Sequence, residues 1–467
     1  MSKVKCSGTA KRPFPTLTTV AVAGAKLPVK HLFIPCLFIT ASGQHLLLCR
    51  WDERGSEEGD ASNEQALYSS DDQGATWRMA NDGRPLITLA HGTSFALPSA
   101  ITGAWLFEDV TGGIWAYYTI NQPFTWGADL PHRSTGGEEI RRVRLEFDGR
   151  TWRVVAGSEM VWACRQRLPD GQGGWCDDVW LISWNGLLRT SCGILLMPVG
   201  GRSTVSEPRG AFWKLNRVWM LTSDDDGRTW TQAHFVAGSD SRCFAEPTIV
   251  ETGTAGEIVC LLRVQYGTGN QLHRAVSHDF GRTWSNPVPT GLPNANQHGA
   301  KPYLLRTRDG NYVLAQTNEH SVVERTNLAL FKTDEAGLLS DRWPDIKTLH
   351  VRHRSGWWPG ACYAWLAENP RDGSLAVAFP GFDNEQNYLF FTHVSADIFE
   401  YSDDVEPNGV IDEKGDHLPR RFQDATGRTG FRFTNVRGRL TATRFDRRIC
   451  ETPARVSFEV RIVQLNR

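Results

Sequence analysis

Ser277-His278-Asp279-Phe280-Gly281-Arg282-Thr283-Trp284 has the form S-x-D-x-G-x-T-W, and two further copies occupy residues 70–77 (SDDQGATW) and 223–230 (SDDDGRTW). Each fixed position has a task in a tight antiparallel turn. Ser and Asp side chains bond backbone N–H groups inside the turn, and Gly supplies a positive φ. Thr and Trp then restart a strand, with the indole placed to pack between sheets. Five fixed positions repeated three times mark a fold that itself repeats. The motif speaks of architecture before chemistry.

Working outward, the box tryptophans Trp77, Trp230 and Trp284 leave a first interval nearly three times the second. Degenerate copies fill part of the series. Phe147-Asp148-Gly149-Arg150-Thr151-Trp152 is one residue short, and Thr333-Asp334-Glu335-Ala336-Gly337 followed by Trp343 is a worn version. Between boxes, an apolar strand, a Gly-containing turn and a second apolar strand recur at 35–50, 98–119, 185–201, 247–263, 302–317 and 363–380. These six units each read as four short antiparallel strands, and such units bury both faces only by stacking radially. The expectation is an all-β, six-bladed β-propeller over residues 31–400, preceded by an extension of residues 1–30. Residues 401–467 are assigned as a loop and extra strands closing the propeller, with a seventh blade as the open alternative. Residues 121–140 and 165–178, rich in Gly, Pro and charge, read as long inter-blade loops, where binding residues tend to sit.

Composition narrows the function. A formal net charge of −1 over 467 residues gives no footprint for nucleic acid and no polybasic membrane surface. No apolar run reaches the roughly 18 residues that span a bilayer. The first residues are basic without an apolar h-region, so the chain as it stands shows no secretory signal. The compartment stays open: secreted or periplasmic if a signal has been removed, cytoplasmic otherwise. The 10 cysteines are scattered with no C-x-x-C pair, several inside apolar runs, and read as buried thiols. Zinc is not indicated, and neither a metal nor an organic cofactor is expected.

The order of segments resembles the sialidase (neuraminidase) superfamily, in particular predicted neuraminidases with Asp-box repeats. The likeness covers roughly residues 31–395 and is carried by AEPTIVET with LLR, SHDFGRTWSNP, LPNANQHG, ERTNLALFKTDE and YAWLAENPRDGSL in the family's order. It implies an exo-glycosidase acting on an anionic glycan. In that family an arginine triad grips the substrate carboxylate, a Tyr–Glu pair supplies the nucleophile, and an Asp serves as acid/base. The chemistry explains the choice, because an anomeric carbon bearing a carboxylate repels a charged nucleophile but not a neutral phenol.

Carried over by motif, Tyr363 in CYAWLAE matches the nucleophile, Glu246 in AEPTIVE its activating base, and Asp60 the acid/base. Arg263, which ends IVCLLR, and Arg325 in ERTNL match two of the clamp arginines. One position departs. The family's R-I-P tripeptide is here Phe33-Ile34-Pro35. A desolvated bidentate Arg–carboxylate pair is worth ~2–3 kcal/mol, and Phe cannot replace it. Arg50 and Arg54 are the candidates to fill the place of that arginine. Plainer readings stand beside these: Tyr363 as core packing, Arg325 and Asp60 as solvated surface, and Arg263 as the partner of Glu246 alone.

Phe33 also opens a uronate-lyase alternative, in which a cation neutralises the carboxylate and His91, His298 or Tyr363 abstracts a proton, with Asn296 alongside. A non-catalytic glycan-binding propeller is the third reading. Trp105, Trp115, Trp126, Trp175, Trp357 and Trp358 are candidate sugar platforms. Trp126 and Trp175, in the long loops, and the Trp357-Trp358 pair beside glycine are the better surface candidates.

Overall fold

In the computed structural model, the described residues are 18–22, 31–52, 64–88, 100–121, 139–155, 157–163, 166–182, 185–203, 217–230, 232–239, 241–266, 271–293, 300–317, 327–351, 362–383, 386–394, 399, 420–423 and 429–432. Six antiparallel sheets are arranged as propeller blades, with inner strands of successive blades in contact. Blade 1 runs His31–Ile39, His45–Asp52, Glu64–Ser70, Arg78–Met79, and blade 2 runs Ala100–Glu108, Ile114–Asn121, Glu139–Phe147, Trp152–Val154. Blade 3 is built on Leu195–Ser203, Arg217–Ser223 and Gln232–Ala237, its inner edge shared by Trp175–Ile182 and Leu188–Arg189. Blade 4 is Cys243–Glu251, Ile258–Tyr266, Gln271–Ser277, Val288–Pro293, and blade 5 is Tyr303–Arg306, Tyr312–Thr317, Asn327–Thr333, Asp345–Val351. Blade 6 contributes Trp365–Glu368, Leu375–Asp383 and Gln386–Val394.

The closing strand corrects the sequence reading. Thr18–Val22 pairs antiparallel with Gln386–Val394, Thr18 opposite Phe391 and Val22 opposite Tyr388, so the N-terminal segment completes the last blade. Residues 1–30 therefore are not wholly outside the propeller, and the fourth strand of blade 6 does not come from residues 401–467. Among the described residues, Arg420–Gln423 and Thr429–Arg432 pair only with each other. The physical reason is local. Thr-Thr-Val-Ala-Val is a short β-branched run able to cover the apolar third strand, whereas the C-terminal stretch is broken by charge and glycine.

The boxes form as the residue types dictate. In the first copy Asp72 Oδ1 accepts from Ser70 Oγ and from the Thr76 N–H, both at 2.8 Å, and Oδ2 accepts from Thr76 Oγ1 at 2.6 Å. Asp225 and Asp279 repeat this set. Gly74 takes φ 83°, and a Cβ there would lie 2.1 Å from Phe391 of blade 6, so the glycine serves both the turn and the inter-blade seam. These turns join third and fourth strands, which puts them at the end of the ring opposite the starts of the inner strands. The bonds hold the Asp72 carboxyl down to about 2, the Thr76 hydroxyl foremost. A carboxyl depressed below its ordinary value of about 4 contributes stability that is present above that value and lost as pH falls through the folded one. Accordingly, Asp72→Ala should lower Tm at neutral pH, and the gap from wild type should close between about pH 4 and about pH 2; a gap independent of pH would count against the ionised box.

Two segments differ from expectation. Residues 165–178, read as a loop, contain the hairpin strands Gln166–Pro169 and the start of Trp175–Ile182, because Asp170 accepts from the Gln172 and Gly174 N–H groups and closes a tight turn. The worn box becomes a helix, Glu335–Ser340, N-capped by Asp334 onto the Gly337 N–H. The core lies between blade faces, with Trp105, Trp219, Tyr117 and Phe379 fully buried. The described cysteines carry no disulfide and all but Cys192 are buried.

Candidate active site at the propeller axis

The site grows from a defect repeated in the inner strands. In blade 1 the pairing register slips between Phe33 and Cys36, and in blade 4 between Ala245 and Thr248. Pro35 and Pro247 sit in the slips, where a missing N–H costs the ladder nothing. The residue before each proline is forced left-handed, Ile34 at φ 50° and Glu246 at φ 43°. Tyr363, just ahead of the inner strand of blade 6, has φ 54°. Such conformations cost about 1–3 kcal/mol for a residue with a Cβ and persist where the surroundings hold them. A bulge re-aims a side chain that a regular strand would send to a sheet face.

The side chains meet accordingly. Tyr363 donates its hydroxyl proton to Glu246 Oε1 at 3.0 Å. Blades 4 and 6 are not neighbours in the ring, so this contact is made at the axis. Arg263, at the end of the second strand of blade 4, donates from Nη1 to Glu246 Oε2 and to the Tyr363 oxygen, the latter at 3.1 Å. All three are almost fully buried, at 2% exposed for Arg263, 5% for Glu246 and 2% for Tyr363. One guanidinium nitrogen thus bonds both partners of the proton-sharing pair, the phenol oxygen and the carboxylate oxygen that the phenol does not use. Negative charge stays beside Arg263 whether Glu246 or the phenol carries it.

Phe33 stands against the Tyr363 ring, centroids 4.8 Å apart, in a small apolar cluster with Ile34, Ala300 and Cys362. Arg50 is buried and lies directly across the strand pair from Phe33, as Arg263 lies across from Ala245. Arg50 is therefore the blade 1 counterpart of Arg263. Asp60, Arg325, Arg54, His91, Asn296, His298, Trp126, Trp357 and Trp358 lie outside the described residues. Of the other tryptophans, Trp105 is core and stacks on Tyr117, and Trp115 is partly buried with the Arg142 guanidinium over one face of its ring at 4.1 Å. Trp175 is 55% exposed with Arg167 over it at 5.3 Å.

Two residues that the sequence reading passed over belong to this end of the ring. Asn185 Nδ2 donates to the carbonyl oxygens of Glu246 (3.4 Å), Pro247 (2.8 Å) and Pro302 (3.1 Å). Three carbonyls fix the orientation of the amide, and they tie the bulge of blade 4 to the start of blade 5. Lys301 is 1% exposed, and burial pushes its ammonium down to about 8. A signal for Lys301 existed: Ala300-Lys301-Pro302 repeats the pattern of Phe33-Ile34-Pro35 and Ala245-Glu246-Pro247. Among the described residues no cluster of His, Cys, Asp and Glu has the makings of a metal site.

Several solved structures share this fold. A protein of unknown function from Dyadobacter fermentans matches with a TM-score of 0.59 at 16% identity, covering 81% of this chain and 99% of that one. The intramolecular trans-sialidase of Ruminococcus gnavus, solved with oseltamivir carboxylate, matches with a TM-score of 0.54 at 15% identity over 82% and 98% of the two chains. The Trypanosoma rangeli sialidase matches with a TM-score of 0.55 at 16% identity, over 78% of this chain and 55% of that one. At these identities the likeness establishes the fold. No curated protein matches the sequence. Residues 47–388 match the BNR repeat-like domain, and with well over half of its length inside that match the chain belongs to the BNR repeat-like family.

Proposed function

We propose that the protein is a sialidase-like exo-glycosidase that removes a terminal acidic sugar from a glycan. The observation that carries this reading is the buried Tyr363–Glu246 hydrogen bond with Arg263 on both partners. A phenol held by a carboxylate is a neutral nucleophile with its base already in place. In the first step Glu246 takes the phenolic proton while the phenolic oxygen bonds to the anomeric carbon. The glycosidic C–O bond breaks, and Asp60 supplies the proton to the leaving oxygen. Water then attacks the anomeric carbon of the aryl glycoside and gives a proton to the Asp60 carboxylate, while the phenolate leaves and recovers its proton from Glu246. Arg263 stabilises the phenolate oxygen in both steps. Arg50 and Arg325 complete the reading as cations for the sugar carboxylate, Arg50 by its equivalence to Arg263, with Trp126 and Trp358 as candidate sugar platforms.

The solved trans-sialidase and sialidase with this fold support an anionic glycan as the ligand class. The test is a screen of the purified protein on sialosides, Kdo glycosides and uronate-capped oligosaccharides. Release of the free acidic sugar, with no new absorbance near ~235 nm, is expected. A product absorbing there is an unsaturated uronate, and would replace hydrolysis by elimination. Binding without release on every member would leave a glycan-binding propeller.

A further inference from the structure

Asn185 does more than join two blades. It stands in a bend with Gly186, just ahead of the inner strand Leu188–Arg189 of blade 3. Gly186 takes φ 40°, and a Cβ there would lie 3.3 Å from the Trp365 ring, so the bend meets blade 6 across the axis. Asn185 Nδ2 donates to Pro247 O at 2.8 Å and Pro302 O at 3.1 Å, with Glu246 O at 3.4 Å on the same nitrogen. In a regular strand successive carbonyls point to opposite sides, so one nitrogen does not reach two in a row. Here it does, because Glu246 at φ 43° turns the chain over. The register with the second strand of blade 4 jumps from Ala245 opposite Arg263 to Thr248 opposite Leu261, leaving Glu246 and Pro247 in the gap. Both are buried, and buried carbonyls outside a ladder take their donors from elsewhere.

A position that needed only volume would take Leu, which has nearly the shape of Asn. Asn185 instead buries an amide whose Oδ1 has no donor within reach among the described residues. An orphan acceptor is a cost that the Nδ2 side has to outweigh. What that side selects is the bulge, since an extended strand offers it one carbonyl of the pair and the bulged strand offers both. The bulge in turn decides where the Glu246 carboxylate lies, 3.0 Å from the Tyr363 hydroxyl and bonded to Arg263. We infer that Asn185 is a positioning residue for the proposed reaction: by holding the Glu246 and Pro247 carbonyls, its amide keeps Glu246 left-handed and its carboxylate on the Tyr363 phenol. The inference rests on the reading of Glu246 as the proton acceptor, and Asn185 acts only through the backbone of that residue.

A double-mutant cycle separates an effect through Glu246 from a loss of packing. Asn185→Leu, normalised to folded protein, should lose about 10²-fold in kcat/KM, the scale of a small misplacement of a reacting group. In a Glu246→Gln background the same substitution should cost less than about threefold, because the proton acceptor it positions has already gone. Equal losses in the two backgrounds make Asn185 a packing residue and overturn the proposal. The Leu304 N–H also donates to Thr248 Oγ1 at 3.0 Å, so a tie between blades 4 and 5 survives in the variant. Should Asn185→Leu fail to fold, Asn185→Ala enters the same cycle. A second measurement needs no turnover. The crystal structure of the variant should show Glu246 at negative φ and its hydrogen bond to Tyr363 broken. A Glu246 still left-handed and still bonded to Tyr363 defeats the proposal even where the glycosidase reading stands. Absence of turnover on every acidic glycoside defeats that reading and leaves the structure of the variant to decide this one.

Discussion

Tyr363→Phe should fold like the wild type and lose at least ~10³-fold in kcat/KM on whichever acidic glycoside the protein cleaves. The ring keeps its neighbours, Phe33, Ile34, Ala300 and Cys362, so packing is conserved. Only the hydroxyl goes, and with it one bond to Glu246 and one from Arg263. Those two remain bonded to each other, so no charge is stranded. The stability cost should be about 1–2 kcal/mol, that of losing two modest hydrogen bonds. Activity loss with a nearly unchanged Tm is the signature of a nucleophile. Equal activity in the variant would assign Tyr363 to the core, the plainer reading of its sequence.

Arg263→Met should produce the opposite pattern, with stability falling as well as activity. Glu246, 5% exposed, would lose the guanidinium it bonds. Stranding one member of a buried pair costs about 3–5 kcal/mol. Adding Glu246→Leu to Arg263→Met should recover most of the loss, since removing both charges with volume retained is often neutral. The check is a thermal or denaturant double-mutant cycle. Additive single effects would mean that the two groups do not depend on each other.

The legibility of this chain follows from where its specificity is stored. Box turns are legible because Ser, Asp, Gly, Thr and Trp each bond within the same eight residues. Motif order singles out Tyr363, Glu246 and Arg263, and the structure brings their side chains together from two blades. The bulges were less visible. Phe33-Ile34-Pro35, Ala245-Glu246-Pro247 and Ala300-Lys301-Pro302 share a proline, but that a register slip turns Ile34 and Glu246 left-handed is a property of the strand pair. Lys301 and Asn185 were missed for that reason, since their partners lie on other blades. Residues 18–22 escaped because a five-residue edge strand has no turn chemistry of its own and gains its meaning from blade 6. Trp115 shows the converse: aromatic content suggested a platform, and Arg142 covers one face of it.

The covalent step proposed for Tyr363 can be observed directly. An acidic glycosyl fluoride carrying a second fluorine at the carbon beside the anomeric centre forms the enzyme adduct but slows its breakdown, because the oxocarbenium-like transition state is destabilised. Intact-protein mass spectrometry followed by peptide mapping should find one sugar per chain, on the Tyr363 oxygen, and none on Tyr363→Phe. A sugar mapped to Glu246 or to any other side chain, or rapid turnover of the probe by Tyr363→Phe, would contradict a phenol nucleophile at the axis.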